Sequence, residues 1–154
     1  AIHYHNRKRL PDAIEQRFEA TYWPTLESML KRVDIVSINC PATPETHHLI
    51  NAETLAHVQR HAYLINTARG DIVDENALAD ALASGALAGA GLDVFEQEPA
   101  VNPRLLALPN VVLMPHLGSA TFEARQDMGD KVIANIRSWT DGHRPGDQVL
   151  EGWA

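Results

Sequence analysis

Three residues able to carry chemistry follow three successive predicted strands: Arg69, Glu98 and His116. An arginine offers a planar fork of N–H donors that suits a carboxylate. A histidine can give or take a proton near neutral pH, and a carboxylate beside it favours its protonated form and fixes its orientation. Ligands of an open α/β sheet lie beyond the carboxyl ends of its strands, so we expect the three side chains to gather at one edge. Together they predict a site that binds a carboxylate and transfers a proton.

Each of these residues also has an ordinary structural explanation. Arg69 can be a surface arginine in a loop, Glu98 an exposed loop acid, and His116 a polar residue that closes a strand. Taken singly, the ordinary explanations are adequate. The recurrence of a chemically able residue at three successive strand ends favours a functional site.

Strands that alternate with helices must position these residues. Apolar and β-branched runs predict the strands, and capped amphipathic stretches between them predict the helices. The predicted strands are Ala1–His5, Asp34–Asn39, Ala62–Ile65, Ala88–Val94 and Val111–Met114. The predicted helices are Pro11–Phe18, Thr25–Arg32, Ala52–Arg60, Glu75–Ser84, one turn at Pro103–Ala107 and a long helix from Thr121 to Thr140, while Tyr22–Pro24 is a predicted connector. This alternation predicts an α/β fold with a doubly wound parallel sheet.

Composition narrows the class of protein. The 154 residues are 45% hydrophobic and 21% charged, which suits one globular domain with its own core. A net charge of −7 disfavours a nucleic-acid partner, and no apolar run approaches the length of a membrane span. The single cysteine, Cys40, fits a reducing compartment, so we expect a cytoplasmic protein. His57 and His61 have a spacing that can bind zinc, but no third ligand follows at a recognisable spacing, and we expect no metal site.

Three stretches of the chain, in order, resemble the D-isomer-specific 2-hydroxyacid dehydrogenase family, and most closely its glyoxylate and hydroxypyruvate reductases. They are Asn66–Gly70, Gly91–Phe95 with Glu98–Pro99, and Pro115–Ser119. The resemblance implies a Rossmann-type cofactor domain and hydride transfer from a nicotinamide to a small 2-oxo acid. It implies that Arg69 binds the substrate carboxylate and carbonyl, and that His116 is the general acid/base with Glu98 as its partner.

The same resemblance implies a set of cofactor contacts. Asp93 would lie near the nicotinamide carboxamide, and Thr67 and Ala68 would contact the cofactor through their backbone. The adenine side would be flanked by residues 39–41, and Gly118 would also belong to the cofactor site. The residues after the third predicted strand are Asn39, Cys40 and Pro41.

The turn after the first predicted strand concerns the choice of cofactor. It contains Asn6, Arg7, Lys8 and Arg9, and the next acidic residue is Asp12. NAD-specific sites place an acid here for the ribose hydroxyls, whereas an arginine accommodates a 2′-phosphate. We therefore expect a preference for NADP(H), with NAD(H) as the other candidate. A solvated basic turn is the alternative interpretation.

The sequence also departs from the family pattern at one specific place. The strand and the G-x-G-x-x-G turn that should open the cofactor domain are not in this sequence, and it begins without methionine. We expect an incomplete cofactor domain over 1–141 and a tail over 142–154, with the substrate domain absent from this chain. By itself the chain is expected to be inactive, and the resemblance implies a homodimer.

Three other functions compete with this prediction. A formate dehydrogenase relative is disfavoured because that enzyme has glutamine where Glu98 stands here. A non-catalytic nucleotide-binding module, like the corepressor relatives, would have no need for the Arg69, Glu98 and His116 set. The third is an inactive remnant that serves only in assembly.

Overall fold

Parallel strands joined by helices form the framework of the chain. The computed structural model describes residues 1–149 and divides the chain into two units, 1–115 and 116–154. The first unit contains β1 (Ile2–Tyr4), α1 (Asp12–Phe18), β2 (Ala20–Tyr22), α2 (Leu26–Leu30), β3 (Ile35–Ile38), α3 (Ala52–Leu55), β4 (Tyr63–Asn66), α4 (Glu75–Ala83), β5 (Gly89–Leu92), α5 (Pro103–Leu106) and β6 (Val111–Leu113). The second unit contains α6 (Phe122–Thr140).

The strands form two parallel sheets in the first unit. One has the order β1-β2, and the other has the order β3-β4-β5-β6. Within residues 1–149, β1 and β3 are not paired with each other, which divides the sheet where a doubly wound fold has its first strand. The alternation of strands and helices is therefore confirmed, as is the prediction of an incomplete doubly wound sheet.

Two local predictions were wrong. Tyr22, predicted to lie in a connector, is the last residue of β2 and pairs with Tyr4 in a parallel register. Such a short strand is defined by its partner, because three residues show no alternation of their own. The helix predicted over 52–60 ends at Leu55, and the amides of His57 and Val58 then bond three residues back in tight turns. These turns bring the chain back to the start of β4.

The core lies between the four-stranded sheet and helices α2 to α5. Leu30, Leu64, Leu78 and Leu105 are fully buried there. Helix α4 contributes Leu78 and Leu82, as the predicted apolar stripe requires. Asp74 caps this helix by accepting hydrogen bonds from two first-turn amides, and Gly85 follows it with a left-handed φ of 69°. Both ends of α4 agree with the prediction from sequence.

Helix α6 begins as predicted, with Thr121 Oγ1 accepting a hydrogen bond from Ala124 N at 3.1 Å. Every residue of α6 is exposed or half-buried within the described structure, including the apolar Val132, Ile136 and Trp139. Asp147 returns to the helix and accepts from Asn135 Nδ2 at 3.0 Å. Among residues 1–149, no helix combines the length and the apolar content that a membrane span requires.

Candidate active site

The loop that carries Arg69 is held by a buried asparagine at the end of β4. Asn66 is 1% exposed, and its amide bridges the loop: Oδ1 accepts from Ala68 N at 3.0 Å and Nδ2 donates to Arg69 O at 2.9 Å. The Arg69 side chain is exposed, and its Nη1 donates to Ala68 O at 2.6 Å. The Asn66 side chain thus holds the loop backbone through hydrogen bonds, while the Arg69 guanidinium lies on the surface beyond the carboxyl end of β4.

Gly70 brings this loop into direct contact with the loop after β5. A Cβ built on Gly70 would lie 2.0 Å from the carbonyl carbon of Phe95 and 2.4 Å from Glu96 N. No side chain can occupy that space, so only glycine allows the two backbones to approach this closely. The loop that carries Arg69 therefore rests on the segment that leads to Glu98.

Glu98 is tied to its own loop by its carboxylate. Its Oε1 accepts a hydrogen bond from Phe95 N at 3.0 Å, and the residue is exposed. Asp93 directly follows β5 and is 9% exposed, and its backbone N donates to Asn66 O at 3.0 Å. Arg69, Asp93 and Glu98 consequently lie at the carboxyl edge of two adjacent strands, β4 and β5, as the sequence predicts.

His116 follows the next strand and begins the second unit. The ladder continues just past β6, because Met114 N donates to Leu92 O at 2.8 Å. His116 itself is exposed and has a left-handed φ of 54°, a conformation that residues with a Cβ adopt at a cost. Its pairing with Glu98 stays a prediction.

A further group of residues, which the sequence did not indicate, holds these loops through hydrogen bonds. Glu75, the first residue of α4, is 6% exposed, and its Oε1 accepts a hydrogen bond from Glu96 N at 2.9 Å. The Glu96 carboxylate contacts the His48 imidazole at Nε2. We call Glu75, Glu96 and His48 the loop bracket. Burial raises the pKa of Glu75, and the nearby Glu96 charge adds to that rise against the opposing hydrogen bond from Glu96 N.

The first unit therefore presents an exposed arginine and an exposed carboxylate at the carboxyl edge of a parallel sheet. The two loops that carry them are in contact at Gly70. The family model described as D-isomer specific 2-hydroxyacid dehydrogenase, NAD binding domain, matches residues 1–118, more than half of the chain. The chain belongs to the D-isomer-specific 2-hydroxyacid dehydrogenases. The resemblance of the three sequence motifs to this family is thereby confirmed.

Relatives of this chain are much longer than it is. Glyoxylate reductase of Thermococcus litoralis is 47% identical over 148 residues, which are 96% of this chain and 44% of the relative. Glyoxylate/hydroxypyruvate reductase B of Erwinia tasmaniensis is 48% identical over 139 residues, 90% of this chain and 43% of the relative. The chain therefore spans less than half the length of these relatives.

A solved structure adds a cofactor complex to the comparison. The NADPH-dependent glyoxylate/hydroxypyruvate reductase of Sinorhizobium meliloti, crystallised with NADP and malonate, matches this chain with a TM-score of 0.83. The two are 42% identical, and the match covers 91% of this chain and 42% of that one. The doubly wound fold of the NAD-binding domain is thus shared with a structure that holds a dinucleotide.

The basic turn after β1 contains an arginine that is paired with a carboxylate. Arg9 donates from Nε and Nη2 to the two carboxylate oxygens of Glu15, at 2.9 and 2.6 Å. The Tyr4 hydroxyl also donates to Glu15, and these bonds, led by that from Arg9, lower the pKa of Glu15 to about 2. Arg7 is exposed, and its backbone N donates to Asn6 Oδ1 at 2.8 Å. Of the two arginines, Arg9 is therefore the one that Glu15 holds.

The residues predicted to flank the adenine follow β3. Asn39 folds back on the strand end, where its Nδ2 donates to Ser37 O at 3.2 Å. Cys40 is half-buried, and burial raises the pKa of its thiol, which disfavours a nucleophilic role. Pro41 O accepts from the Thr46 hydroxyl at 2.7 Å. Two further predicted cofactor contacts, Thr67 and Ala68, lie in the loop that carries Arg69. Gly118 is exposed in the second unit.

His61, one of the two histidines whose spacing can bind zinc, has a carboxylate partner. His61 Nε2 contacts Asp34 Oδ1 at 2.7 Å on the surface. In the part of the chain that the structure describes, no three His, Cys, Asp or Glu side chains are grouped as metal ligands.

Proposed function

We propose that the protein carrying this chain reduces a small 2-oxo acid, glyoxylate or hydroxypyruvate, to the corresponding 2-hydroxy acid with NAD(P)H. The observation that carries the proposal is the backbone contact at Gly70, which sets the loops of Arg69 and Glu98 against each other at the carboxyl edge of the sheet. Ligands of doubly wound folds bind at this edge. The names of the relatives agree with this substrate class.

In this proposal Arg69 captures the substrate. Its guanidinium is exposed and always charged, and its planar fork can hold the carboxylate in two hydrogen bonds while polarising the adjacent carbonyl. The buried Asn66 holds the main chain of the loop, so little conformational freedom is lost when the substrate binds. Substrate orientation is the contribution of this loop.

His116 supplies the proton. As the 2-oxo carbon accepts a hydride, the carbonyl oxygen becomes an alkoxide, and the imidazolium of His116 protonates it. Glu98 would stabilise that imidazolium and orient its ring. The overall change consumes one hydride and one proton and converts the ketone or aldehyde to an alcohol. A formate dehydrogenase role is disfavoured because it needs no such proton donor.

The cofactor would bind along the carboxyl edge of β3 and β4. The exposed turn with Arg7 and the backbone at Thr67 and Ala68 fit a dinucleotide, because they offer a cation for a phosphate and main-chain groups for the nicotinamide half. When bound, the reduced nicotinamide supplies the hydride. Residues Asn6, Arg7 and Arg9 would favour NADP(H), with Arg7 as the principal contact to the 2′-phosphate because Arg9 already holds Glu15.

Further parts of the proposal extend to the whole protein. Residues 1–141 would be part of its cofactor domain, with Asp93 near the nicotinamide and residues 39–41 beside the adenine, and Gly118 would also contact the cofactor. The protein would act as a homodimer in the cytoplasm. Analytical ultracentrifugation and fractionation of cells test these two predictions directly.

The decisive experiment is oxidation of NADPH with glyoxylate and with hydroxypyruvate, followed by the loss of nicotinamide absorbance. The 154-residue chain and a longer polypeptide that contains it are assayed side by side, with NADH as the comparison cofactor. We expect turnover by the longer polypeptide, faster with NADPH. Dinucleotide binding without turnover of either acid would favour the non-catalytic nucleotide-binding module instead.

A further inference from the structure

The loop bracket joins two connections that are far apart in the sequence. Glu75 begins α4, directly after the loop of Arg69, and its carboxylate binds the backbone N of Glu96. His48 reaches the same two places: its backbone N donates to Asp71 O at 2.8 Å, and its imidazole contacts the Glu96 carboxylate. Both residues therefore link the β4–α4 connection to the loop after β5.

The loop bracket differs from a surface ion pair in the burial of Glu75 and in the backbone conformation of His48. The Glu75 carboxylate is buried, so a lost hydrogen bond there leaves an uncompensated polar group. His48 has a left-handed φ of 50°, which is unusual for a residue with a Cβ and persists only where its surroundings enforce it. Asn51 Nδ2 adds to that enforcement by donating to His48 O at 3.0 Å.

The bracket acts at the point where the Arg69 and Glu98 loops meet. Glu96 N, the group that Glu75 holds, is one of the atoms against which Gly70 packs. The neighbouring amide, Phe95 N, donates to the Glu98 carboxylate. A displacement of Glu96 would therefore move the support of Arg69 and the anchor of Glu98 together.

We propose that Glu75 and His48 are positioning residues, which act through Glu96 to set the placement of Arg69 relative to Glu98 for binding of a 2-oxo acid. The inference rests on the proposed function for its substrate, but its structural part stands on the contacts of the bracket alone. Neither Glu75 nor His48 is required to touch substrate or cofactor. Their effect would be on substrate capture, because Arg69 is the group they position.

Glu75→Ala and Asp74→Ala form a matched pair for the test. Asp74→Ala removes the N-cap of the same helix, where Asp74 Oδ1 accepts from Asn76 N and Ala77 N at 3.0 Å, but leaves the acceptor of Glu96 N in place. Both variants weaken α4, and only Glu75→Ala releases the loop after β5. Glu75→Gln keeps an oxygen that can accept from Glu96 N and serves as the rescue variant.

The first measurement is hydrogen exchange of the Phe95 and Glu96 amides in the 154-residue chain. We expect Glu75→Ala to accelerate exchange of Glu96 about tenfold or more, and Asp74→Ala and Glu75→Gln to leave it within about threefold of the wild-type rate. Equal acceleration in Glu75→Ala and Asp74→Ala would overturn the proposal, because it would show that the bracket only supports the helix.

The second measurement is the kinetics of glyoxylate reduction in the active polypeptide. We expect Glu75→Ala to raise KM for glyoxylate about tenfold with a smaller change in kcat, and Glu75→Gln to restore it. His48→Asn, which suits the left-handed backbone but lacks the imidazole, should also raise KM. An unchanged KM in Glu75→Ala beside faster Glu96 exchange would refute the positioning role. If the wild-type protein reduced no 2-oxo acid, the proposed function would be refuted. The exchange experiment would then test by itself whether Glu75 holds the loop after β5.

Discussion

Replacing Gly70 by alanine tests whether close approach of the two loops is essential to the site. The added Cβ would lie 2.0 Å from the Phe95 carbonyl carbon, whereas an ordinary contact is 3.4 Å, so the backbones must separate by about 1.4 Å. The clash is with backbone atoms, which cannot rotate away as a side chain can. Gly70→Ala therefore has to displace either the Arg69 loop or the segment that anchors Glu98.

The size of this displacement determines the expected losses of folding stability and of activity. Overpacking of this kind costs about 1–3 kcal/mol of folding stability. A misplacement of roughly 1 Å in a positioning element costs about a hundredfold in rate. We therefore expect Gly70→Ala to lower kcat/KM for glyoxylate by about a hundredfold while the protein stays folded, as checked by urea unfolding and steady-state kinetics.

Gly129→Ala is the matched control. Gly129 lies within α6, and a Cβ there meets no heavy atom of residues 1–149 within 4 Å. Alanine should stabilise the helix by about 0.5–1 kcal/mol and leave the kinetics unchanged. If Gly70→Ala retained kcat/KM within about threefold of the wild-type value, the contact between the loops would not position the site, and the reasoning would be refuted.

Four further changes test the roles of single side chains. Arg69→Lys should raise KM for glyoxylate by about tenfold or more, since an ammonium loses the bidentate fork; near-normal kinetics would remove Arg69 from substrate binding. Glu98→Gln should lower kcat for glyoxylate reduction about tenfold, because an amide is a weaker partner than a carboxylate for the proposed acid His116, and an unchanged kcat would exclude Glu98 from the mechanism. Arg7→Ser should raise KM for NADPH about tenfold and leave KM for NADH unaltered; equal effects on both would contradict the phosphate contact. The pKa of Glu15 is lowered from 4.5 to about 2, so its stabilising contribution is present above pH 4.5 and is lost as the pH falls towards 2; acid titration of unfolding should show this loss in the wild type, and its persistence in Glu15→Gln would assign it elsewhere.

Much of the local structure was predictable because its causes lie within one or two turns of the chain. Asp74 caps α4 through amides two and three residues ahead, and Gly85 takes the left-handed conformation that ends the same helix. The strands β3 to β6 also lie within their predicted runs or one residue beyond, since buried parallel strands require apolar residues of their own. The short strand β2 was missed because its pairing with β1 defines it.

The candidate site was predictable only in part. Arg69 and Glu98 were identified from motifs at strand ends, and the parallel order of β4 and β5 accounts for their common edge. Arg9 was predicted as a cofactor contact, and its bidentate bond to Glu15 was not foreseen. The ion pair joins the turn to α1, and nothing in the composition of the turn indicates which carboxylate will face it.

The sequence by itself determined the alternation of strands and helices, the residues that end the strands, and the family. Hydrophobic periodicity, caps and motifs are properties of neighbouring residues, so they can be recognised before any tertiary contact is known. Only the tertiary structure decided that Gly70 packs against Phe95, and that Glu75 and His48 both meet Glu96. These contacts join residues more than twenty positions apart, and they exist because packing of the sheet and α4 brings the loops together. A buried polar group then bonds to whatever donor the fold presents, which no local pattern specifies.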